Sequence, residues 1–202
     1  MGFGLIFLGW VTLLFFKIMP VGIVGTLVMY KGLCKLSDYG KNFVRAKKAC
    51  LVLMLYFVLF GVMWTLDITG VFRFTQVRVL VYADEIFYYA SLLVFSYFLY
   101  RGLGDISRQT GFEKGIKREQ KCISLLIVFV LFTAVRIVCY FFGVEMYLRF
   151  AMLVYELFWL VYSAMYIYSC YMMIATQEII DEENKKMREY DEKYSMLKRK
   201  KK

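Results

Sequence analysis

The sequence predicts an all-α, polytopic membrane bundle: four clear transmembrane helices, an N-terminal helical hairpin ahead of them, and a charged cytoplasmic helix at the C-terminal end. Three observations carry that expectation. Hydrophobic residues make up 61% of the 202 and aromatics 19%, against ~45–50% apolar in a soluble globular chain. Charge-poor stretches long enough to cross a ~30 Å hydrocarbon core alternate with charge-dense ones. The single proline, Pro20, leaves the remainder free to form long uninterrupted helices. A mean hydropathy of +0.58 agrees.

The bundle is expected over residues 1–174, its first two segments at 2–16 and 21–36. As one helix, residues 2–30 would run ~43 Å and place Lys17 at mid-membrane. A hairpin is the better reading, with Lys17 and Pro20 marking its turn, since proline suits the first turn of a helix. The first segment then spans thinly or is re-entrant. Gly2, Gly4 and Gly9 in it, with Gly22 and Gly25 in the second, allow close approach, although none is spaced G-x-x-x-G. No basic residue precedes the apolar run and no small-residue cleavage site is present, so no cleavable signal peptide is expected. Ile6 stands where a myristoylation signal needs Ser or Thr.

The four clear spans follow. Residues 49–66 are free of charge. Residues 79–100 carry Asp84 and Glu85 near their start, 122–142 carry Arg136, and 150–174 carry Glu156. The segments between them set the orientation. Segments 31–48 and 101–121 and the tail from 175 hold 21 of the 26 basic residues, whereas 67–78 and 143–149 hold only Arg73, Arg78 and Arg149. By the positive-inside rule the first group is cytoplasmic, and the assignment alternates across all four spans without conflict. Lys17 and the N-terminal turn then fall on the outer side. This placement accounts for most of the formal net charge of +10. Anionic inner-leaflet lipid is the partner it implies, and nucleic acid is not.

Residues 175–202 read as a cytoplasmic helix. Asp181–Lys185, Glu182–Lys186 and Glu189–Lys193 are acid-before-base pairs at i,i+4. Ile180, Met187, Tyr190, Tyr194 and Leu197 form a narrow apolar stripe. Such a helix either lies on the protein's own cytoplasmic loops or docks a protein partner.

Several chemistries are excluded. Histidine is absent, which removes the commonest general base and metal ligand and any Ser-His-Asp or Cys-His hydrolase. Cys34, Cys50, Cys122, Cys139 and Cys170 form no C-x-x-C pair and are odd in number, so neither a disulfide framework nor a zinc site is indicated. Gly102-Leu103-Gly104 and Gly111 with Gly115 match no phosphate-binding loop and read as turns. The 12 methionines are scattered and read as packing. No cofactor is implied. An enzyme would have only carboxylates or Cys139 to work with, and no enzymatic activity is expected.

The charges inside the spans are the candidate site: Lys17, Asp84, Glu85, Arg136 and Glu156. Intramembrane charge is costly and usually faces protein or water with a partner. At ~1.5 Å per residue, Asp84, Arg136 and Glu156 all fall ~9 Å below the outer surface, in one layer. Tyr82, Tyr88, Tyr89, Tyr140 and Tyr155 lie at similar depth, where an aromatic belt is also expected. Two readings compete. One is a set of structural ion pairs, Arg136 with Glu156 and Lys17 with Asp84 or Glu85. The other is a water-accessible pocket for a small solute or cation, since carboxylates outnumber cations three to two. A hard metal ion on oxygen ligands would also suit that surplus. Asp84 and Glu85 point about 100° apart on a helix, so they are not expected to enter one pocket together.

Gly2-Phe-Gly-Leu-Ile-Phe-Leu-Gly-Trp10 and Gly32-Leu-Cys-Lys-Leu-Ser-Asp-Tyr-Gly-Lys-Asn-Phe43 resemble a group of small multi-pass membrane proteins of Gram-positive anaerobic bacteria. The resemblance covers about the first quarter clearly and the rest in layout. It implies a bacterial cytoplasmic membrane and no particular activity. Size and helix count are also similar to the substrate-binding membrane subunits of energy-coupling-factor vitamin transporters, which have an outward-facing site. The alanine ladder those proteins carry on the first helix is absent here. Taken together, a non-enzymatic accessory or regulatory membrane protein is expected first. A solute or cation binder or transporter using the outer charged layer is the alternative.

Overall fold

A computed structural model describes residues 2–13, 19–73, 76–141, 148 and 150–173 of the chain. The expected turn at Lys17 and the tail at 175–202 lie outside the described residues. Among the described residues the chain is all-helical, with no strand. Helix α1 is Phe3–Leu13, α2 Met19–Leu36, α3 Lys41–Ile68, α4 Arg78–Gln109 and α5 Glu113–Phe141. Helix α6 is Phe150–Met173. A short 3-10 turn, Ser37–Tyr39, joins α2 to α3.

Helices α3, α4 and α5, of 28, 32 and 29 residues, are each ~42–48 Å long at 1.5 Å per residue. They therefore extend well past their apolar spans and take the basic segments into helix. The expected loop at 101–121 shrinks to the turn at 110–112. There Phe112 N–H donates to Ser107 O at 2.8 Å and Gly111 N–H to Arg108 O at 3.4 Å, with Gly111 at φ +68°. This is a Schellman ending, and it reverses the chain within three residues. Gly111 is thus a turn glycine as expected. Gly102, Leu103 and Gly104 are not a turn but lie inside α4, and Gly115 likewise lies inside α5. Neighbouring elements press too closely there for a side chain: a Cβ on Gly102 would meet the Phe43 ring at 3.0 Å.

Helices α3, the Val79–Gln109 part of α4, and α6 are long and apolar enough to cross a membrane. The predicted span at 122–142 falls on α5. In the most apolar windows of α3 and α4 only 28% of residues are buried inside the protein. Leu55, Leu59 and Val62 on α3, Leu131 on α5 and Phe158 on α6 are more than half exposed. Outward-facing apolar surface on this scale exceeds what a soluble monomer carries and suits a lipid surround.

Helix α1 is the exception. It is 11 residues long and buries Phe3, Ile6, Gly9, Trp10 and Leu13, with Leu8 its one strongly exposed large side chain. Trp10 lies centrally among Phe95 and Tyr100 of α4 and Trp159 of α6, with ring centroids 6.1–6.2 Å away. Its Nε1–H donates to Leu160 O at 3.0 Å. Such a bond offsets the cost of burying the polar edge of a tryptophan. The hairpin of α1 and α2 closes on glycine, as expected. A Cβ on Gly9 would stand 2.5 Å from Gly25 O, and one on Gly32 2.7 Å from Gly2 O. The sequence signal is a spacing of seven, Gly2 with Gly9 and Gly25 with Gly32, which places two glycines on one face across two turns.

Candidate functional site

Helices α3 to α6 alternate in direction, so Ile68, Arg78, Phe141 and Phe150 mark one end of the bundle. One to three turns in from that end lies a cavity of about 320 Å³. Four of the five charged residues singled out from the sequence, Asp84, Glu85, Arg136 and Glu156, line it. The fifth, Lys17, lies outside the described residues. Tyr56, Phe57 and Phe60 of α3 and Tyr88 and Tyr89 of α4 supply aromatic walls.

Each helix contributes through its own periodicity. On α3, residues 56, 57 and 60 share the buried face. On α4, the i, i+1, i+4, i+5 set of 84, 85, 88 and 89 forms a stripe two residues wide. That width is why Asp84 and Glu85 both reach the cavity, against expectation. Side chains about 100° apart still face one space when that space subtends so wide an arc.

One of the two expected pairs differs, and the other, Lys17 with Asp84 or Glu85, lies outside the described residues. Arg136, 7% exposed, forms its ion pair with Glu85 rather than the expected one with Glu156. Its Nη1 also approaches Met152 Sδ at 3.8 Å. Glu156, 5% exposed, accepts a hydrogen bond from Tyr89 Oη at 3.3 Å. Asp84 accepts one from Tyr56 Oη at 3.2 Å. The reason is rotation about the helix axis: depth follows from residue count, but which face meets which neighbour does not. The Glu85 side chain keeps 25% of its surface accessible, so the cavity is not sealed.

The aromatic wall is one connected group. Tyr56 lies 5.3 Å from Phe57, 5.9 Å from Phe60 in a stacked pair, and 5.4 Å from Tyr88. Tyr88 is 5.1 Å from Tyr89. Tyr155, expected at the same depth, instead donates to Leu125 O at 2.7 Å and ties α6 to α5.

Among the described residues three acidic side chains and one guanidinium face the same space, so in their ionised form these four groups together carry a charge of −2. Among the described residues no three His, Cys, Asp or Glu side chains gather closely enough to hold a metal ion. A compact divalent ion therefore fits this arrangement poorly. A larger monovalent cation, reaching several separated acceptors and aromatic rings, fits it well.

A second charged cluster, at the opposite end of the bundle, is not among the residues expected from the sequence. Glu119 of α5 is 1% exposed. It accepts from Arg108 Nη1 at 2.6 Å and Arg101 Nη1 at 3.4 Å, both from α4. Asp105 takes Arg108 Nη2 at 3.0 Å and Asn42 Nδ2 of α3 at 2.7 Å. A Cβ on Gly104 would run into the Glu119 carboxylate. The available signal was an acid within a basic segment, opposite a glycine pair.

No family model matches the chain, and no curated protein or solved structure matches it.

Proposed function

We propose that this is a non-enzymatic, multi-pass protein of a cell membrane that binds a small organic cation in the cavity at its outer end. Four helices cross the bilayer in this reading, α5 being the fourth. Its stretch from Cys122 to Phe141 carries one charged residue, Arg136, and that residue is turned inward to Glu85. The basic segments lie in the cytoplasm, which puts the cavity on the opposite, outer side.

One observation carries the proposal. Among the described residues, Asp84, Glu85 and Glu156 share a 320 Å³ cavity with the Arg136 guanidinium and a connected aromatic wall. A volume of this size is at the small end of ligand pockets. Carboxylates favour a cation by charge, and aromatic rings favour one that sheds its water readily, such as an alkylammonium group. The alternative, an accessory subunit that docks a partner through residues 175–202, rests on a segment outside the described residues. The geometry favours the cavity.

Native mass spectrometry of the protein, taken from its own membranes in mild detergent, tests this reading. The expected result is a bound small molecule that is lost in Glu156→Gln while the protein stays folded. A co-purifying protein, with no small molecule, would favour the accessory reading instead.

A further inference from the structure

We infer that a second cavity, at the basic end of the bundle between α5 and α6, holds the phosphate group of an anionic phospholipid. Its volume is about 330 Å³. Lys114, Lys117, Arg118 and Lys121 line it from α5. Their i, i+3, i+4, i+7 spacing sets all four on one face of the first two turns. Among the described residues no carboxylate lines this cavity. The acid nearest in sequence, Glu119, is buried against α4 and taken up by Arg101 and Arg108.

Four cations concentrated with no carboxylate among the described lining residues repel one another, and an anion relieves that repulsion. The cluster also sits on the N-terminal turns of α5, where the helix dipole adds to the attraction. Arg118 is anchored by donating to Ser169 Oγ of α6, so its guanidinium is held at the wall. The three lysines are exposed and can close on a phosphate from outside.

The floor of the cavity identifies the source of that phosphate. Tyr162 and Met165 of α6 line it. Met165, 57% exposed, continues into an outward apolar strip through Val161 and Phe158, 48% and 57% exposed. A headgroup in the cavity could lay an acyl chain along this strip, which a soluble phosphate would leave unused. Basic pockets between membrane helices on the cytoplasmic side are suited to such headgroups.

The test is native mass spectrometry of the full chain in neutral detergent, titrated with phosphatidylglycerol or phosphatidylcholine. Lys114→Gln/Lys117→Gln/Lys121→Gln is compared with a charge-matched control, Lys200→Gln/Lys201→Gln/Lys202→Gln. The expected result is selective retention of phosphatidylglycerol, with affinity falling roughly 10–100-fold in the first variant and essentially unchanged in the control. Lys117→Glu alone, at an exposed position, should reproduce the loss. Equal losses in both triple variants would overturn the site, since net charge would then suffice. Retention unaffected by either α5 variant would overturn it as well. Displacement of the lipid by equimolar inorganic phosphate would overturn the lipid assignment and make a soluble phosphate the occupant.

Discussion

The two ends of the bundle each gather buried charge, but they do so in opposite ways. At the basic end, Glu119 and Asp105 are matched by Arg101, Arg108 and Asn42, and Gly104 makes room for the carboxylate. Apart from the Arg108–Asp105 pair within α4, the contacts there join one helix to another, and the cluster is packed. At the other end, among the described residues, three acids and one guanidinium line a cavity of about 320 Å³; Arg136 donates to Glu85, Tyr56 to Asp84 and Tyr89 to Glu156. Buried charge is therefore not in itself a sign of a site. Matched and packed, it fastens helices; around open space, it is the charge that the proposal assigns to a ligand.

Glu119→Ala gives the largest expected effect. It leaves two guanidiniums facing a void and costs a buried hydrogen-bonded ion pair. Breaking a fully buried pair costs ~3–5 kcal/mol, and because each arginine side chain is 43% exposed the expected loss is the lower end, about 3 kcal/mol. Thermal unfolding in mild detergent would show it, and an unchanged melting temperature would mean that the basic end is not fastened by this cluster.

Arg136→Gln is expected to cost less stability, about 2 kcal/mol, because Glu85 is partly accessible and can be rehydrated. It also moves the cavity from −2 to −3. Affinity for tetramethylammonium, measured by calorimetry, should then rise. A fall would show that the guanidinium itself contacts the ligand.

Gly104→Ala is the smallest structural perturbation, at about 1–2 kcal/mol from overpacking. Combined with Glu119→Ala, its cost should largely vanish, because the group that it collides with is gone. Additive melting shifts would contradict the close approach of Gly104 to Glu119.

Much of this architecture was legible before any coordinates. The helical class and the apolar windows of α3, α4 and α6 follow from composition and span length. The sharing of one layer by Asp84, Arg136 and Glu156 follows from helical rise, which turns residue number into depth. What rise cannot supply is rotation. Whether Arg136 meets Glu85 or Glu156 depends on how α4, α5 and α6 turn about their axes, and that is decided by long-range packing. The same holds for Gly104. A glycine in a basic segment looks like a turn until the neighbouring helix is seen to place a carboxylate against it. Glu119 is hard to read for a related reason: in a stretch dominated by lysine and arginine, one acid looks like surface.

The central claim is that the Glu156 carboxylate serves a ligand and does not hold the fold. Calorimetric titration of the wild type and Glu156→Gln with tetramethylammonium, alongside their melting temperatures, tests it most directly. Gln is nearly isosteric with Glu and can still accept from Tyr89, so stability should change by no more than ~1 kcal/mol. Affinity should fall roughly tenfold or more on losing one of three acidic charges. Loss of stability with no measurable cation binding by either protein would contradict the claim and make the outer charges structural, like those at the other end.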